Sequence, residues 1–360
     1  MAPMTSNSIL TELETLVRCE SPSEDLEACS QVVHVANEIA VRVLGRPARI
    51  LNVKGRPVFW WGDEKPQVVL LGHLDTVWPK GSFEPLWEVT EDVARGPGIF
   101  DMKAGFIQAL FALREIEGSV ALIATTDEET GSATSREMIE EISRSSKAVL
   151  VLEAAVDGKV KIGRKGTSMY QISVHGRAAH AGLEPEKGIN ATIEVASIVL
   201  QMAALENPSE GTTVVPTLLR SGNTTNTVPD LATLDVDIRS YSKAELIRVD
   251  AAIRELAPQN SGARIEISGG LNRPPLEPTS TRSLYELAAK VATEMGFELG
   301  AASVGGASDG NFAAAAGANV LDGLGAVGSG AHAKGEWASV AELSKRSEFL
   351  HQFIKVLLHE

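Results

Sequence analysis

Cysteine is almost absent: the 360 residues hold only Cys19 and Cys29, both near the N-terminus. That excludes a disulfide-built scaffold, and no CxxC pair is present for a structural zinc. No apolar run approaches the roughly 20 residues needed to span a bilayer. The start, Met1-Ala2-Pro3-Met4-Thr5-Ser6-Asn7, lacks the basic region and apolar core of a secretory signal. Positive charge is in deficit, with a net charge of -14, which argues against nucleic-acid binding by electrostatics. There is no internal repeat and no low-complexity tail. These absences predict a cytoplasmic enzyme with neither a membrane nor a nucleic-acid partner.

What is present is an ordinary globular composition, 44% hydrophobic and 22% charged. The length exceeds one usual core and predicts two domains. The organising stretch is Val68-Val69-Leu70-Leu71-Gly72-His73-Leu74-Asp75-Thr76-Val77. It reads as a buried central strand whose carboxyl end opens into a ligand crevice. His73 and Asp75 then point to one side, where the aspartate can take the second ring N–H of the imidazole.

Around this strand the patterns alternate. Helical spacing over 8–18 is followed by a second helix, capped by Ser23 or Asp25 and stopped at Gly45. Strands are expected at 48–53, 58–61, 120–125 and 148–152, with helices at 106–116 and around Met138 to Ile142. The segment Trp78 to Pro97 reads as a long irregular loop. This alternation is the signature of a largely parallel sheet flanked by helices, an α/β fold. From Gly166 the character changes to strand-helix-strand-strand-helix-strand, the split βαβ pattern of a ferredoxin-like α+β domain. The expected organisation is a catalytic domain over 1–165 and 277–360 with the smaller domain, 166–276, inserted.

Acidic and imidazole residues fall at the carboxyl ends of the apolar strands or in the loops beside them: His73, Asp101, the pair Glu128-Glu129, and Glu153. His332 sits in the late loop Gly328-Ser329-Gly330-Ala331-His332. Carboxylates brought together repel, and divalent cations remove the conflict. One aspartate shared by two ions, with one histidine and one glutamate completing each site, gives a balanced pair. Imidazole with carboxylate suits Zn(2+), with Co(2+) or Mn(2+) as alternatives. Two such ions can activate a water, and a free carboxylate beside them can serve as general base. Glu128 and Glu129 cannot point the same way in an extended segment, so one can ligate while the other handles protons. Geometry alone leaves open which does which.

These motifs, Gly72-His73-Leu74-Asp75-Thr76-Val77, Asp101-Met102-Lys103-Ala104-Gly105, Asp127-Glu128-Glu129-Thr130-Gly131-Ser132, Glu153 and His332, resemble the ordered motifs of the co-catalytic dizinc peptidases. That family includes glutamate carboxypeptidase, acetylornithine deacetylase and succinyl-diaminopimelate desuccinylase, and the closest likeness is to glutamate carboxypeptidase. The resemblance implies two zinc ions per subunit, one held by His73, Asp101 and Glu153, the other by Asp101, Glu129 and His332. It implies that Asp75 orients His73, that Glu128 is the general base, and that the Asp101–Met102 peptide is cis. The inserted domain would act as lid and homodimer interface. Its motif Val174-His175-Gly176-Arg177-Ala178-Ala179-His180 would bring His180 to the oxyanion. Asn226 would contact substrate, and Arg273 would bind the substrate carboxylate. Gly305 and Gly306, with Arg164, are further anion-binding candidates. The expected activity is cleavage of an amide next to a carboxylate-bearing amino acid, releasing glutamate from a small peptide. The alternatives are an N-acyl-amino-acid deacylase with the same metals and, in another class, a non-catalytic binding protein.

Overall fold

The structure, a computed structural model, describes residues 6–359. The chain enters through two helices, α1 (Ser6–Arg18) and α2 (Leu26–Leu44). Capping bounds α2 as its sequence predicts. Asp25 accepts the Ala28 N–H at 2.9 Å, and Gly45, at φ 75°, donates its N–H to Val41 O. A hairpin, β1 (Arg49–Val53) and β2 (Arg56–Gly62), leads to β3 (Val68–His73). Then come α3 (Ala104–Ala112), β4 (Val120–Thr125), α4 (Arg136–Ser145) and β5 (Ala148–Val151).

The apolar run at 68–73 is buried along its whole length and pairs in parallel with β4 on one side and β5 on the other. Helix α3 packs against it. Leu70 and Leu71 are fully buried, each contributing about 1.5–3 kcal/mol by removal from water. Parallel pairing fixes direction: β3, β4 and β5 end on the same edge of the sheet, so the residues that follow them converge there.

The chain then divides into two units. One comprises the chain up to Gly163, Glu277–Val304 and the chain from Ser308 on; the other comprises Arg164–Leu276 with Gly305–Ala307. The second unit contains β6 (Gly166–His175), α5 (Ala191–Ala203), β7 (Thr213–Ser221), β8 (Leu231–Ser240), α6 (Lys243–Arg254) and β9 (Arg264–Arg273). Its antiparallel sheet has the order β7-β8-β6-β9, the ferredoxin-like arrangement. Tyr170, Ile172, Val195, Ile198, Val249 and Ile253 form its core.

The first unit resumes with α7 (Arg282–Glu294), α8 (Asp309–Ala315), β10 (Val320–Leu321) and α9 (Val340–His359). Strand β10 completes the six-stranded sheet in the order β1-β2-β4-β3-β5-β10. Contrary to expectation, Trp78 to Pro97 is not wholly irregular. Glu88–Thr90 and Val93–Arg95 pair with each other, and Trp337–Ser339 and Gly328–Ser329 join them in a second small sheet. Strands this short carry too little alternation to show a period, and the partner of Val93–Arg95 is remote in sequence. That sheet carries the loop bearing His332.

Candidate metal centre

His73 is the last residue of β3 and is 1% exposed. Its Nδ1 lies 3.0 Å from the main-chain oxygen of Asp75. A carbonyl can only accept, so in the neutral ring Nδ1 carries the proton and Nε2 keeps its lone pair for a metal. The Asp75 carboxylate is close behind: Oδ1 is 3.5 Å from Nδ1. Oδ2 accepts the Ser23 hydroxyl at 2.7 Å and the Glu129 N–H at 3.2 Å. Asp75 thus faces the imidazole with both its main chain and its side chain, and the closer contact is the main-chain one.

Asp101 lies between two histidines. Its Oδ1 is 3.3 Å from His73 Nε2, and its Oδ2 is 3.4 Å from His332 Nε2. Glu153, just beyond β5, places Oε1 3.7 Å from His73 Nε2, and Glu129 places Oε2 3.0 Å from His332 Nε2. Donor atoms around a tetrahedral ion with bonds of 2.0–2.1 Å sit about 3.4 Å apart. Each histidine therefore has its own glutamate and its own Asp101 oxygen at the spacing a shared cation requires. The Asp101–Met102 peptide is cis. His332 adopts φ 60°, a left-handed conformation unusual for a residue with a Cβ and concentrated at functional sites.

The electrostatics of the cluster call for cations. Burial pushes the Glu129 carboxyl up. Burial of His73 works against its charged form, but hydrogen bonds with Asp101 and Asp75 outweigh it and raise the pKa well above the ordinary value. Hydrogen bonds to Asp101 and Glu129 raise His332 to about 10. The carboxylates create a site for positive charge that a divalent ion fills without a proton on either ring. The residues fit a metal pair.

Glu128 and Glu129 form the start of a 3₁₀ turn, Glu128–Thr130, rather than an extended segment. The adjacent side chains are therefore not forced to opposite faces. Glu128 sets an oxygen within 4.8 Å of ligand atoms of His73 and Glu153, while Glu129 meets His332.

Residues 69–356 match the model of peptidase family M20/M25/M40. The chain belongs to this family. It is a metallohydrolase of the peptidase class. Carboxypeptidase G2 from Pseudomonas sp. strain RS-16 is 30% identical over 294 residues, covering 78% of this chain and 71% of that protein. A succinyl-diaminopimelate desuccinylase from Sulfurovum sp. strain NBC37-1 is 27% identical over 317 residues, covering 81% and 84%. Among solved structures, aminopeptidase PepT from Bacillus cereus superposes with a TM-score of 0.82 at 21% identity, covering 99% of this chain and 100% of that one. An M20 family metallo-carboxypeptidase, Sso-CP2 from Sulfolobus solfataricus, gives a TM-score of 0.77 at 18% identity, covering 98% and 99%. At those identities the structures establish the shared M20-type fold. Among the described residues no helix is long and apolar enough to cross a membrane.

The other expected residues lie on the inserted unit. Arg273 ends β9 and is 6% exposed; it is not a surface residue. Arg164 is also buried and donates to Gly306 O at 3.3 Å and Ala307 O at 3.2 Å. It thereby holds the main chain of the glycine turn. His180 is exposed, and its Nδ1 accepts the N–H groups of Gly182 and Leu183, both at 3.1 Å. That places the proton of the neutral ring on Nε2, leaving an outward donor. Asn226 is exposed, and its main-chain oxygen accepts the Ala181 N–H at 2.9 Å. It is thereby tied to the His180 segment.

Two residues of the centre had no signal in the sequence. Glu336 is fully buried and accepts the main-chain N–H groups of Gly98, Phe100 and Asp101 and the indole N–H of Trp78. Lys161 places Nζ 3.7 Å from Glu153 Oε2. A lone glutamate in a Gly-rich loop and a lysine on a short strand carry no spacing that reveals such roles.

Proposed function

We propose that this M20-family metallohydrolase uses two zinc ions to cleave the amide that precedes a carboxylate-bearing amino acid, with glutamate as the residue released from a small peptide. The observation that carries the reading is the division of Asp101 between His73 and His332, each completed by its own glutamate. His73, Asp101 and Glu153 would hold one ion, and Asp101, Glu129 and His332 the other. When bound, the pair supplies Lewis acidity, lowering the pKa of a water and polarising the scissile carbonyl.

The chain's own residues do the rest. Glu128 accepts the proton of the attacking water and passes it to the departing amine. Asp75 holds the tautomer of His73. His180 donates Nε2–H to the developing oxyanion. Arg273 pairs with the substrate carboxylate through its guanidinium fork, and Asn226, Gly305, Gly306 and Arg164 shape the substrate contact. The inserted unit serves as the homodimer interface, a reading supported by the exposed Ile193 and Leu200 of α5 and Leu218 and Leu219 of β7.

Glu128→Gln tests the mechanism. It lowers kcat by about 100-fold or more, the low end of general-base assistance, with metal content unchanged. Turnover within about tenfold of the unsubstituted protein contradicts the assignment. The likeness to a succinyl-diaminopimelate desuccinylase supports a second reading, hydrolysis of N-acyl amino acids. A panel of C-terminal glutamate dipeptides and N-acyl amino acids separates the two by kcat/KM.

A further inference from the structure

Within the larger unit, a cavity of about 1040 Å³ is lined by none of the metal-cluster residues. Its walls come from the turn at Asp157–Lys159, the segment after α7 from Met295 to Gly300, Val327, and the first turns of α9. One of its lining residues is Arg346, which is 5% exposed. Arginine carries five N–H donors. Among the described residues the Arg346 side chain makes one hydrogen bond, from Nη2 to Gly158 O at 2.6 Å. No carboxylate of the described residues reaches ion-pair distance of it. Burial pulls its pKa down to about 10 despite the opposing pull of Glu342. The guanidinium nitrogens without a protein acceptor are not sealed from solvent, so they can donate to an acceptor that enters the cavity.

The rest of the lining restricts what that partner is. Glu342 is already tied to Lys345 at 2.7 Å. Four carboxylates, Asp157, Glu298, Glu342 and Glu348, offset the three cations Lys159, Lys345 and Arg346, so the cavity has no excess positive charge for a polyanion. Met295, Phe297, Leu299 and Val327 supply an apolar wall, and Phe297 is 39% exposed. Gly300 keeps the wall open beside Lys159: a Cβ there would lie 2.8 Å from Lys159 Cγ.

We propose that this cavity is a second ligand site, separate from the metal centre, that takes a monocarboxylate with an apolar body, its carboxylate on the Arg346 guanidinium and its body against Phe297 and Met295. A bidentate guanidinium–carboxylate pair satisfies the spare donors, and the apolar wall gives the body a place out of water.

Isothermal titration of the metal-loaded protein with 3-phenylpropionate tests this, with 3-phenylpropanol and inorganic phosphate as controls. Saturable binding is expected, weakened at least about tenfold by Arg346→Gln, and at least about tenfold weaker for the uncharged alcohol. Phosphate is expected not to compete. Hydrogen exchange should show protection at 295–300 and 342–348 on binding. If Arg346→Gln does not fold, Phe297→Ser on the exposed wall decides, with the same loss expected. Any binding that survives both substitutions and competes with peptide substrate belongs to the metal centre; finding only that component, or no binding, overturns the proposal. Equal affinity for acid and alcohol also overturns it.

Discussion

The carboxylate of Glu336 accepts the main-chain N–H of Asp101 at 3.0 Å, so the aspartate that lies between His73 and His332 is held by a buried acid from the far end of the chain. The same oxygen takes Phe100 N–H at 2.9 Å, and the other oxygen takes Gly98 N–H at 3.1 Å and Trp78 Nε1–H at 3.0 Å. Four donors converge on one carboxylate, at the turn Ile99–Lys103 that leads into α3.

Glu336→Ala therefore leaves the two fully buried donors, the N–H groups of Gly98 and Phe100, unpaired and should cost about 2–6 kcal/mol, since each orphaned group costs about 1–3. Glu336→Gln should cost nearly as much, because its amide turns a donor toward donors. Urea midpoints check the stability term. Zinc affinity measured against a chelator should fall in both variants; unchanged affinity in a folded variant would show that Asp101 needs no such support.

Asp75 is fully buried and faces His73 with two oxygens. Asp75→Asn keeps the main-chain contact but loses the negative charge beside the ring and weakens the hold on Ser23 and the Glu129 N–H. Outer partners of metal-bound histidines are worth about 10–100-fold in metal affinity. Zinc affinity should fall by that factor, and Ser23→Ala should show a smaller loss. Equal affinities for Asp75→Asn and the parent protein would show that the main-chain oxygen alone orients the ring.

The inserted unit should have its own acid sensitivity. Glu245, in the first turn of α6, is held down to about 2 from its ordinary 4.5, first by Arg248 and then by hydrogen bonds from Thr212 and Asn207. A folded-state pKa below the unfolded value contributes stability that is present above 4.5 and disappears as pH falls toward 2. The protection of the α6 amides, measured against their intrinsic exchange rates, should fall across that window, and Glu245→Gln should flatten the dependence. An unaltered profile in Glu245→Gln would show that Glu245 does not set it.

Much of the fold was legible because burial leaves a period. The run 68–73 reads as a central strand since both faces are covered, and the Asp25 and Gly45 caps bound α2 because each supplies what a helix end lacks. The convergence of His73, Glu129 and Glu153 was legible because these residues end or follow parallel strands, whose ends lie together; Asp101 and His332 come from loops. What the sequence hid depends on non-local pairing. Glu336 and Lys161 act through contacts with remote segments, and the three-residue strands around Thr90 and Ala94 exist only because Trp337–Ser339 lies beside them. The reading of Glu128 and Glu129 as facing opposite ways assumed extended backbone; the 3₁₀ turn removes that premise while leaving two adjacent acids at one site.

If Asp101 joins two metal sites, the number of zinc ions bound per chain will show it. Mass spectrometry of the zinc-reconstituted protein, after removal of free metal, should give two equivalents per chain, with Asp101→Asn holding one or fewer and losing turnover. One equivalent in a fully active protein, or two equivalents retained by Asp101→Asn with turnover intact, would show that Asp101 is not shared between two ions.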